Sequence, residues 1–182
     1  MPVTAATIRY SFTPSPLGSI LLSASETGLR GLHFTGHAHS PEPAVPWERD
    51  DDAFEGLSAQ LAEYFDGRRT DFDVPLDMVG TAFERQVWAA LLGVGYGETA
   101  SYGEIARRIG RPGAARAIGA ANGRNPVSII VPCHRVIGAD ASLTGYGWGV
   151  DRKAWLLDLE RRTSGADVGA RPQTLPGMDL SR

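Results

Sequence analysis

The segment IIVPCHRVIG, residues 129–138, places the single cysteine of the chain next to a histidine and an arginine. The thiolate is the nucleophilic form of cysteine, and positive charge such as that of Arg135 favours it. His134 can take up the thiol proton. Consecutive side chains of an extended segment point apart, so a bridging water or a sharp turn is needed between Cys133 and His134. The motif therefore predicts a nucleophilic cysteine assisted by a histidine.

A free cysteine is also often a small buried structural residue, and that alternative stays open at this point. One cysteine cannot form an internal disulfide or a thiolate-rich zinc site. A nucleophilic pair needs a carboxylate that holds the imidazole in one tautomer. Asp140, Asp158 and Glu160 are the candidates, and the residue types alone do not choose among them.

The elements around the motif explain how it can be positioned. Residues 127–131 are apolar and largely β-branched, which predicts a short buried strand. Asn125 precedes a proline and so ends the helix before it. Pro132 cannot donate to a strand ladder and ends the predicted strand, so Cys133 emerges where a buried element stops.

Two capping boxes open the helices on the amino-terminal side of the motif. Thr81 with Glu84 begins TAFERQVWAALLGV, and Ser101 with Glu104 begins SYGEIARRIG. RPG then breaks the chain before AARAIGAANGRN, which predicts a third helix rich in small residues. Two short helices joined by such a turn are typical of a helix-turn-helix, although an ordinary helical hairpin has the same pattern.

The distribution of charge favours a nucleic-acid partner although the net charge is −3. No acidic residue lies between Ile105 and Ala139, where six positions are arginine: Arg107, Arg108, Arg111, Arg116, Arg124 and Arg135. Such a local excess of positive charge is the electrostatic footprint of a phosphate backbone. Arg116 and Arg124 fall in or at the end of the predicted recognition helix.

The amino-terminal half predicts a sheet with one helix. Short apolar segments separated by ETG occupy residues 8–34, and residues 53–67 carry apolar side chains at helical spacing before Gly67. We therefore predict an α/β two-domain protein, with its mostly helical carboxyl-terminal domain carrying one short strand. The predicted domains are residues 1–78 and 79–162, followed by a flexible tail over 163–182.

Composition predicts a globular cytoplasmic protein without a membrane partner. The chain is 42% hydrophobic and 21% charged, and it has no apolar run of membrane-spanning length. Its first residues lack the basic and apolar regions of a signal peptide.

The motif and its flanks resemble a known family. VPCHRVIG, preceded by AARAIGAANGRNPVSI and followed by LTGYGWGVDRKAWLLDLE, is similar to the active-site region of the O6-alkylguanine-DNA alkyltransferases. The resemblance covers most of residues 81–160 and extends more loosely over 8–77. It implies a ribonuclease-H-like amino-terminal domain.

The resemblance also implies a function, single-turnover repair of duplex DNA. Such proteins flip O6-alkylguanine, and in some cases O4-alkylthymine, out of the helix and transfer the alkyl group irreversibly to their own cysteine. No cofactor is implied. The expected partner is double-stranded DNA bound through its minor groove by a monomer.

The family pattern assigns catalytic roles to five residues. Cys133 matches the alkyl acceptor, and His134 matches the residue that takes the thiol proton through a water. Glu160 matches the carboxylate that hydrogen-bonds to this histidine. Asn125 matches the asparagine that braces the active-site turn. Tyr102 matches the tyrosine that crowds the target phosphate and protonates the leaving guanine at N3.

The pattern also implies a DNA-binding helix and a base pocket. Arg116 matches the arginine that enters the base stack, while small residues such as Ala115 and Gly119 let the helix approach DNA closely. The base pocket is expected to be lined by Val136, Tyr146, Gly147 and Trp148.

Trp148 departs from the family pattern, which usually has a small residue at this position. Its large ring could turn outward onto the surface, with Gly147 and Gly149 giving the loop its freedom. It could instead lean over the pocket mouth, where it would restrict bulky alkyl groups or stack on DNA.

The histidine-rich segment is interpreted as a surface loop without a metal. His33, His37 and His39 have spacings that could hold an ion, but no supporting carboxylate is evident.

Two rival functions are disfavoured. Alkyltransferase-like proteins that only flag damaged bases typically lack the acceptor cysteine, and a transcriptional regulator would be expected to carry a further DNA-binding or cysteine-rich module.

Overall fold

A four-stranded sheet with one helix precedes a cluster of helices in the computed structural model, which describes residues 7–37 and 40–165. The strands of the two sheets are β1 (Arg9–Thr13), β2 (Ile20–Ala24), β3 (Leu29–Phe34), β4 (Glu48–Arg49), β5 (Ala100–Ser101) and β6 (Val136–Ile137). The α-helices are α1 (Glu55–Phe65), α2 (Ala82–Leu91), α3 (Tyr102–Arg108), α4 (Ala115–Gly123) and α5 (Val150–Thr163). This order confirms the predicted fold class.

The main sheet has the strand order β3-β2-β1-β4. The first three strands pair antiparallel, and β4 joins β1 in parallel. Helix α1 buries the apolar positions that the sequence predicts, including Leu57, Leu61, Tyr64 and Phe65. Gly67 ends this region with a φ of +72°, a conformation that favours glycine.

Both predicted capping boxes are present in the carboxyl-terminal half. The Thr81 hydroxyl accepts from the Glu84 amide, and the Glu84 carboxylate accepts from the Thr81 amide. Ser101 and Glu104 repeat this arrangement at the start of α3. These caps satisfy amide groups that have no partner within the helix, and so they fix where α2 and α3 begin.

The second sheet is small but joins distant parts of the chain. Strand β5 leads directly into α3, and it pairs in parallel with β6, which follows the cysteine motif. The pairing of Ala100 with Val136 therefore sets the cysteine turn beside the helix-turn-helix.

Backbone hydrogen bonds tie the two halves together at β3. The amide of Leu32 donates to the carbonyl of Pro126 at 2.9 Å, and the amide of Ser128 donates to the carbonyl of Leu32 at 3.2 Å. The segment that precedes Cys133 is thus fixed by the edge of the main sheet.

Helix α5 closes the described structure. It ends at Thr163, which is buried, whereas the predicted tail began at this residue. The remainder of the predicted tail, residues 166–182, lies outside the described residues. Within the described ranges, no helix is both long and apolar enough to cross a membrane.

Gly67 offers a test of how α1 and α5 pack. A Cβ at this position would lie 2.5 Å from Cγ2 of Thr163, and the residue has a positive φ. We expect Gly67→Ala to lower the free energy of unfolding by roughly 2 kcal/mol or more, since both strain and overlap oppose it.

Gly56 is the matched control for this substitution. It lies in α1, and a Cβ there would have nothing within 4 Å. Gly56→Ala should raise the free energy of unfolding by up to about 1 kcal/mol. Urea denaturation of the two variants checks both values, and equal effects would contradict the close α1–α5 contact.

Candidate active site and nucleic-acid interface

Cys133 begins a single 3-10 turn that runs from Cys133 to Arg135. The cysteine is buried, with 3% of its surface exposed. The carbonyl of Cys133 accepts a hydrogen bond from Nδ2 of Asn122 in α4 at 3.3 Å. The turn reverses the chain between a buried segment and β6, and it brings Cys133 against the helix-turn-helix.

The segment before the cysteine is buried as predicted, but the prediction of a strand was wrong. Val127 makes a single parallel bridge to Leu32, after which the chain turns. Ile129 has a φ of +71°, which no extended strand allows. β-branched residues favour strands only where a ladder is available, and this segment finds its partners within a turn.

Asn125 holds this turn closed. Its Nδ2 donates to the carbonyl of Val131 at 2.8 Å, and its Oδ1 accepts from the amide of Val127 at 3.0 Å. The side chain thus satisfies the Val127 amide and adds a second donor to the Val131 carbonyl, which also accepts from the amide of Cys133 at 2.8 Å. Asn125 is thus in the position that a brace of the cysteine turn requires.

Glu160 joins the cysteine turn to both halves of the protein. The carboxylate is fully buried and lies 2.7 Å from Nε2 of His134. Arg135 donates to it through Nε at 2.8 Å and through Nη2 at 3.0 Å, and the hydroxyl of Tyr64 donates to it at 2.7 Å. The amide of Gly97 adds a bond at 3.2 Å. Of the three carboxylates considered from sequence, Glu160 is therefore the one beside the histidine.

The charges in this cluster follow from burial. Burial alone would raise the pKa of Glu160, but its interactions with His134 and Arg135 outweigh it and hold the pKa at about 2. Burial lowers the pKa of His134. We therefore assign a charged Glu160–Arg135 pair and a neutral imidazole at neutral pH.

The neutral imidazole has one defined basic atom. Nε2 faces the ionised carboxylate, so Nε2 carries the proton and donates a hydrogen bond to Glu160. Nδ1 is then the acceptor. It is buried and has no hydrogen-bond partner within the described residues. The cluster thus provides a base next to a buried thiol.

The thiol itself is protonated at rest. Burial raises the pKa of Cys133, while hydrogen bonds from Asn125 and Ser128 and the charge of Lys153 oppose this effect. Deprotonation must therefore accompany the reaction.

Lys153, to which the sequence analysis assigns no role, lies close to the cysteine turn. Its ammonium group is buried and donates to the carbonyls of Val136 at 2.5 Å and Thr144 at 2.8 Å. Burial lowers its pKa to about 8. The signal in the sequence was the spacing of seven residues between Lys153 and Glu160, which puts both on one face of α5.

Two tyrosines complete the surroundings of the cysteine. Tyr102 is half-buried at the start of α3, and its hydroxyl donates to the carbonyl of Thr144 at 3.0 Å. Burial raises the pKa of Tyr102 and of Tyr146, and the charge of a Cys133 thiolate would raise both further. The buried hydroxyl of Tyr146 has no hydrogen-bond partner within the described residues. Val136, which follows the cysteine turn, is also buried. A base pocket lined by Val136 and Tyr146 stays a prediction.

Helix α4 presents small residues to solvent. Arg116, Ala117 and Ala120 are exposed, Ala115 and Gly119 are half-buried, and Ile118 and Ala121 face the core. A Cβ at Gly119 would lie 3.7 Å from the Tyr102 ring, so the two helices meet closely here. Arg116 therefore stands on a surface that a nucleic acid could approach.

Two arginines of the acid-free segment form ion pairs within the protein. Arg135 is 7% exposed and pairs with Glu160, so it cannot contribute to a surface footprint. Arg124 pairs with Glu84, the capping residue of α2, although 60% of its side chain remains exposed. The sequence pattern could not show this because both partners are distant in the chain. Arg107 and Arg108 of α3 and Arg116 of α4 are exposed.

Trp148 does not turn outward onto the surface. It is 9% exposed, and its ring packs against Phe34 and His33 at centroid distances of 6.2 Å and 5.6 Å. Its Nε1 donates to the hydroxyl of Ser128 at 2.7 Å. Of the two positions considered for the ring, the surface position is therefore not the one observed, because the edge of the main sheet provides an apolar surface for it. Gly147, which is exposed, and Trp148 line a cleft of about 550 Å³ between the two halves.

His33 and His37 pack against the Trp148 ring. Burial lowers the pKa of His33 to about 4. Among the described residues, no group of three or more potential ligands could hold a metal ion. His39, the third histidine of this segment, lies outside the described residues.

Two protein-family models match the chain. The model described as 6-O-methylguanine DNA methyltransferase, ribonuclease-like domain, matches residues 8–78. The model described as 6-O-methylguanine DNA methyltransferase, DNA binding domain, matches residues 82–162.

Similar proteins match nearly over their full length. The methylated-DNA–protein-cysteine methyltransferase of Mycobacterium tuberculosis is 51% identical over 161 residues, which cover 88% of this chain and 97% of that protein. The protein of the same name from Methanosarcina acetivorans is 49% identical over 151 residues, which cover 83% of this chain and 97% of that protein.

Solved structures agree with these matches. The crystal structure of Mycobacterium tuberculosis O6-methylguanine methyltransferase has a TM-score of 0.81 at 50% identity and covers 89% of this chain and 98% of that chain. The crystal structure of Mycobacterium tuberculosis OGT in complex with DNA has a TM-score of 0.80 at 50% identity, with 88% and 97% covered.

Tyr64 tests the link between α1 and the cluster around Glu160. Tyr64→Phe removes one donor to a buried carboxylate, and we expect it to lower the free energy of unfolding by about 1.5–3 kcal/mol. Tyr96→Phe is the control, because its half-buried hydroxyl bonds to Thr163, a neutral group. Loss of the Tyr96 hydroxyl should lower the free energy of unfolding by about 0.5–1.5 kcal/mol. Chemical denaturation measures both, and a smaller loss for Tyr64→Phe would contradict a charged Glu160.

The charge of Glu160 also predicts a pH dependence of stability. Its folded pKa of about 2 lies below the unfolded value, so its contribution is complete above about pH 4.5 and disappears as the pH falls towards 2. We expect Glu160→Gln to lower the free energy of unfolding by about 3–5 kcal/mol at pH 7, because it leaves Arg135 buried without its counter-charge.

This difference from the wild type should shrink as the pH falls from about 4.5. Asp158→Asn is the control on the same helix, because Asp158 forms exposed ion pairs worth roughly 1 kcal/mol or less. Denaturation at a series of pH values gives the comparison. A Glu160→Gln difference that stays constant down to pH 2 would contradict the ionised carboxylate.

Proposed function

Because the chain belongs to the 6-O-methylguanine DNA methyltransferase family, we propose that Cys133 accepts an alkyl group from O6 of guanine in double-stranded DNA. The chain repairs DNA by alkyl transfer to a protein cysteine, as its similarity to the methylated-DNA–protein-cysteine methyltransferases establishes. The observation that carries the assignment of Cys133 is the buried thiol next to a histidine whose Nδ1 has no hydrogen-bond partner among the described residues.

The proposed reaction needs a proton acceptor and a leaving group. Nδ1 of His134 takes the thiol proton through a water, while Glu160 stabilises the positive charge that develops on the imidazole. The Cys133 sulfur then attacks the alkyl carbon, the sulfur–carbon bond forms and the carbon–oxygen bond to guanine breaks. A thioether is not cleaved again by these groups, so each molecule acts once.

Tyr102 is proposed to assist the departure of guanine. Its raised pKa keeps the phenol protonated at neutral pH. The phenol can therefore donate a proton to guanine N3 as negative charge builds up on the departing guanine. The proton that His134 takes from the thiol is then released and restores the phenol. The reaction balances without a cofactor, because the alkyl group is already attached to its leaving group.

The target base must leave the helix before a buried sulfur can reach it. Extrusion of a nucleotide costs a few kcal/mol of stacking and pairing. We propose that α4 enters the minor groove, where its small residues allow close approach, and that Arg116 fills the space left by the flipped base. The support for this placement is the exposed position of Arg116 on a helix with alanine and glycine at its surface.

A mass measurement tests the acceptor. After incubation with duplex DNA that contains O6-methylguanine, we expect the wild-type protein to gain the mass of one methyl group, located on the peptide that contains Cys133. Cys133→Ala should bind the same DNA with an affinity close to that of the wild type and gain no mass. Methyl transfer by the Cys133→Ala protein would contradict the assignment.

Arg116 tests base flipping. Arg116→Ala should slow repair of O6-methylguanine in duplex DNA by at least about tenfold, while the reaction with free O6-benzylguanine, which needs no flipping, stays nearly unchanged. Arg107→Ala is the control, since the loss of a phosphate contact should weaken DNA binding and lower its salt dependence but leave the repair rate at saturating DNA nearly unchanged. Equal losses of Arg116→Ala on both substrates would contradict the role in the base stack.

A further inference from the structure

The loop of residues 144–149 connects the region of the cysteine turn to α5 without forming a helix or a strand. Within this loop the amide of Gly149 donates to the carbonyl of Tyr146 at 3.1 Å. The side chains of Tyr146 and Trp148 are buried. Because the loop belongs to no strand ladder or helix, its position depends on the bonds that it makes with neighbouring elements.

The amino-terminal end of the 144–149 loop contacts the phenol of Tyr102. The carbonyl of Thr144 accepts from the Tyr102 hydroxyl at 3.0 Å and from Nζ of Lys153 at 2.8 Å. Lys153 also donates to the carbonyl of Val136, the residue after the cysteine turn. A Cβ at Gly145 would lie 2.9 Å from the Tyr102 hydroxyl oxygen, and Gly145 has a φ of +70°. The loop backbone therefore packs directly on the hydroxyl of Tyr102.

The carboxyl-terminal end of the 144–149 loop is attached to the main sheet. The ring of Trp148 packs against Phe34 at the end of β3, and its Nε1 donates to the hydroxyl of the buried Ser128 at 2.7 Å. The carbonyl of Trp148 accepts from Nη1 of Arg152 at 2.9 Å. Both the side chain and the backbone of Trp148 are thus held.

Arg152 extends this attachment from α5 to the amino-terminal half. Its Nε donates to the carbonyl of Leu17, between β1 and β2, at 3.1 Å. Its guanidinium carbon lies 5.1 Å from the centroid of the Phe34 ring, within the range of a cation–π contact. The guanidinium is planar and its donors have fixed directions. One side chain therefore sets the distance between the carbonyl of Trp148 and the main sheet.

We propose that Trp148 and Arg152 are positioning residues for Tyr102. They attach the carboxyl-terminal end of the 144–149 loop to the main sheet, and the amino-terminal end of the loop holds the Tyr102 hydroxyl through the carbonyl of Thr144. The amino-terminal half of the protein thereby orients the group that is proposed to protonate the leaving guanine. This consequence rests on the proposed function, whereas the attachment of the loop does not.

The precision of proton transfer explains why such an attachment matters. A general acid acts only when its heavy atom lies within hydrogen-bonding distance of the atom that it protonates. A displacement of about 1 Å can cost roughly a hundredfold in rate. Three of the six loop residues are glycine, so the loop without its attachment has access to many backbone conformations. Trp148 and Arg152 restrict it to the one in which Thr144 meets Tyr102.

Hydrogen exchange of the Gly149 amide tests the attachment in the full chain without DNA. Arg152→Gln removes the bonds to Leu17 and Trp148, and Trp148→Phe keeps a ring but removes the bond to Ser128. We expect each variant to exchange this amide about three- to tenfold faster than the wild type, as the loss of one hydrogen bond implies. Unchanged exchange in both variants would overturn the attachment and with it the proposal.

Trp155→Phe is the matched control. Trp155 also lies in α5 and also joins the two halves, because its ring packs against Phe65 of α1 at a centroid distance of 6.0 Å. It lies outside the 144–149 loop. Trp155→Phe should lower the free energy of unfolding but leave the exchange of the Gly149 amide in place. Effects equal to those of Arg152→Gln would overturn the proposal, because any contact between the halves would then suffice.

The single-turnover rate of methyl transfer tests the consequence for the reaction. At saturating duplex DNA that contains O6-methylguanine, Arg152→Gln and Trp148→Phe should each slow transfer about three- to tenfold. The Kd for this DNA should stay nearly unchanged, and the rate of Trp155→Phe should match that of the wild type. Faster exchange of the Gly149 amide together with an unchanged transfer rate would overturn the positioning role.

A second background shows whether Arg152 acts through Tyr102. Tyr102→Phe removes the hydroxyl that Thr144 holds, so Arg152→Gln should add little further loss of rate in this background. A loss by the same factor in both backgrounds would contradict the proposal, since Arg152 would then act independently of the phenol. If the wild-type protein is not methylated on Cys133, the proposed function fails, whereas the exchange results for the loop still stand.

Discussion

The buried carboxylate of Glu160 is the constraint on which the site depends. An ionised carboxylate without exposure to water is stable only when several donors surround it. Here the donors come from three separate parts of the chain: Tyr64 of α1, the amide of Gly97 before β5, and His134 with Arg135 in the cysteine turn. The two halves of the protein and the end of α5 must therefore meet at one point.

This arrangement has consequences for the cysteine. The positive charge of Arg135 is used to balance Glu160, so it does little to acidify the neighbouring thiol. His134 is held neutral, and its basic Nδ1 has no partner in the part of the chain that the structure describes. Cys133 consequently rests as a buried, protonated thiol. In the proposed single-turnover reaction, a protonated thiol reacts more slowly than a thiolate with electrophiles other than the substrate.

Local patterns in the sequence predicted a large part of the fold. The capping boxes at Thr81 and Ser101 involve residues three positions apart, and the apolar spacing of α1 is a property of one helix, so neither needs tertiary information. The cysteine motif and its resemblance to a family identified Cys133, His134 and Glu160 before their geometry was known. The structure then placed Nε2 of His134 2.7 Å from Glu160.

The errors share a physical origin in contacts between distant parts of the chain. The β-branched run before Cys133 has the composition of a strand, yet Asn125 closes it into a turn in which Ile129 has a positive φ. The partner of Arg124 is a capping residue forty positions away. The Trp148 ring packs on β3, a strand more than a hundred residues earlier in the chain, and no local pattern indicates this contact.

The central claim is that Glu160 holds a neutral His134 with its proton on Nε2. Nitrogen-15 and proton NMR of the histidine ring, in the full chain at neutral pH, tests this claim most directly. The account predicts a neutral imidazole protonated on Nε2, with a slowly exchanging proton hydrogen-bonded to the carboxylate and with Nδ1 unprotonated. A ring protonated on Nδ1, or an imidazolium at neutral pH, would contradict it.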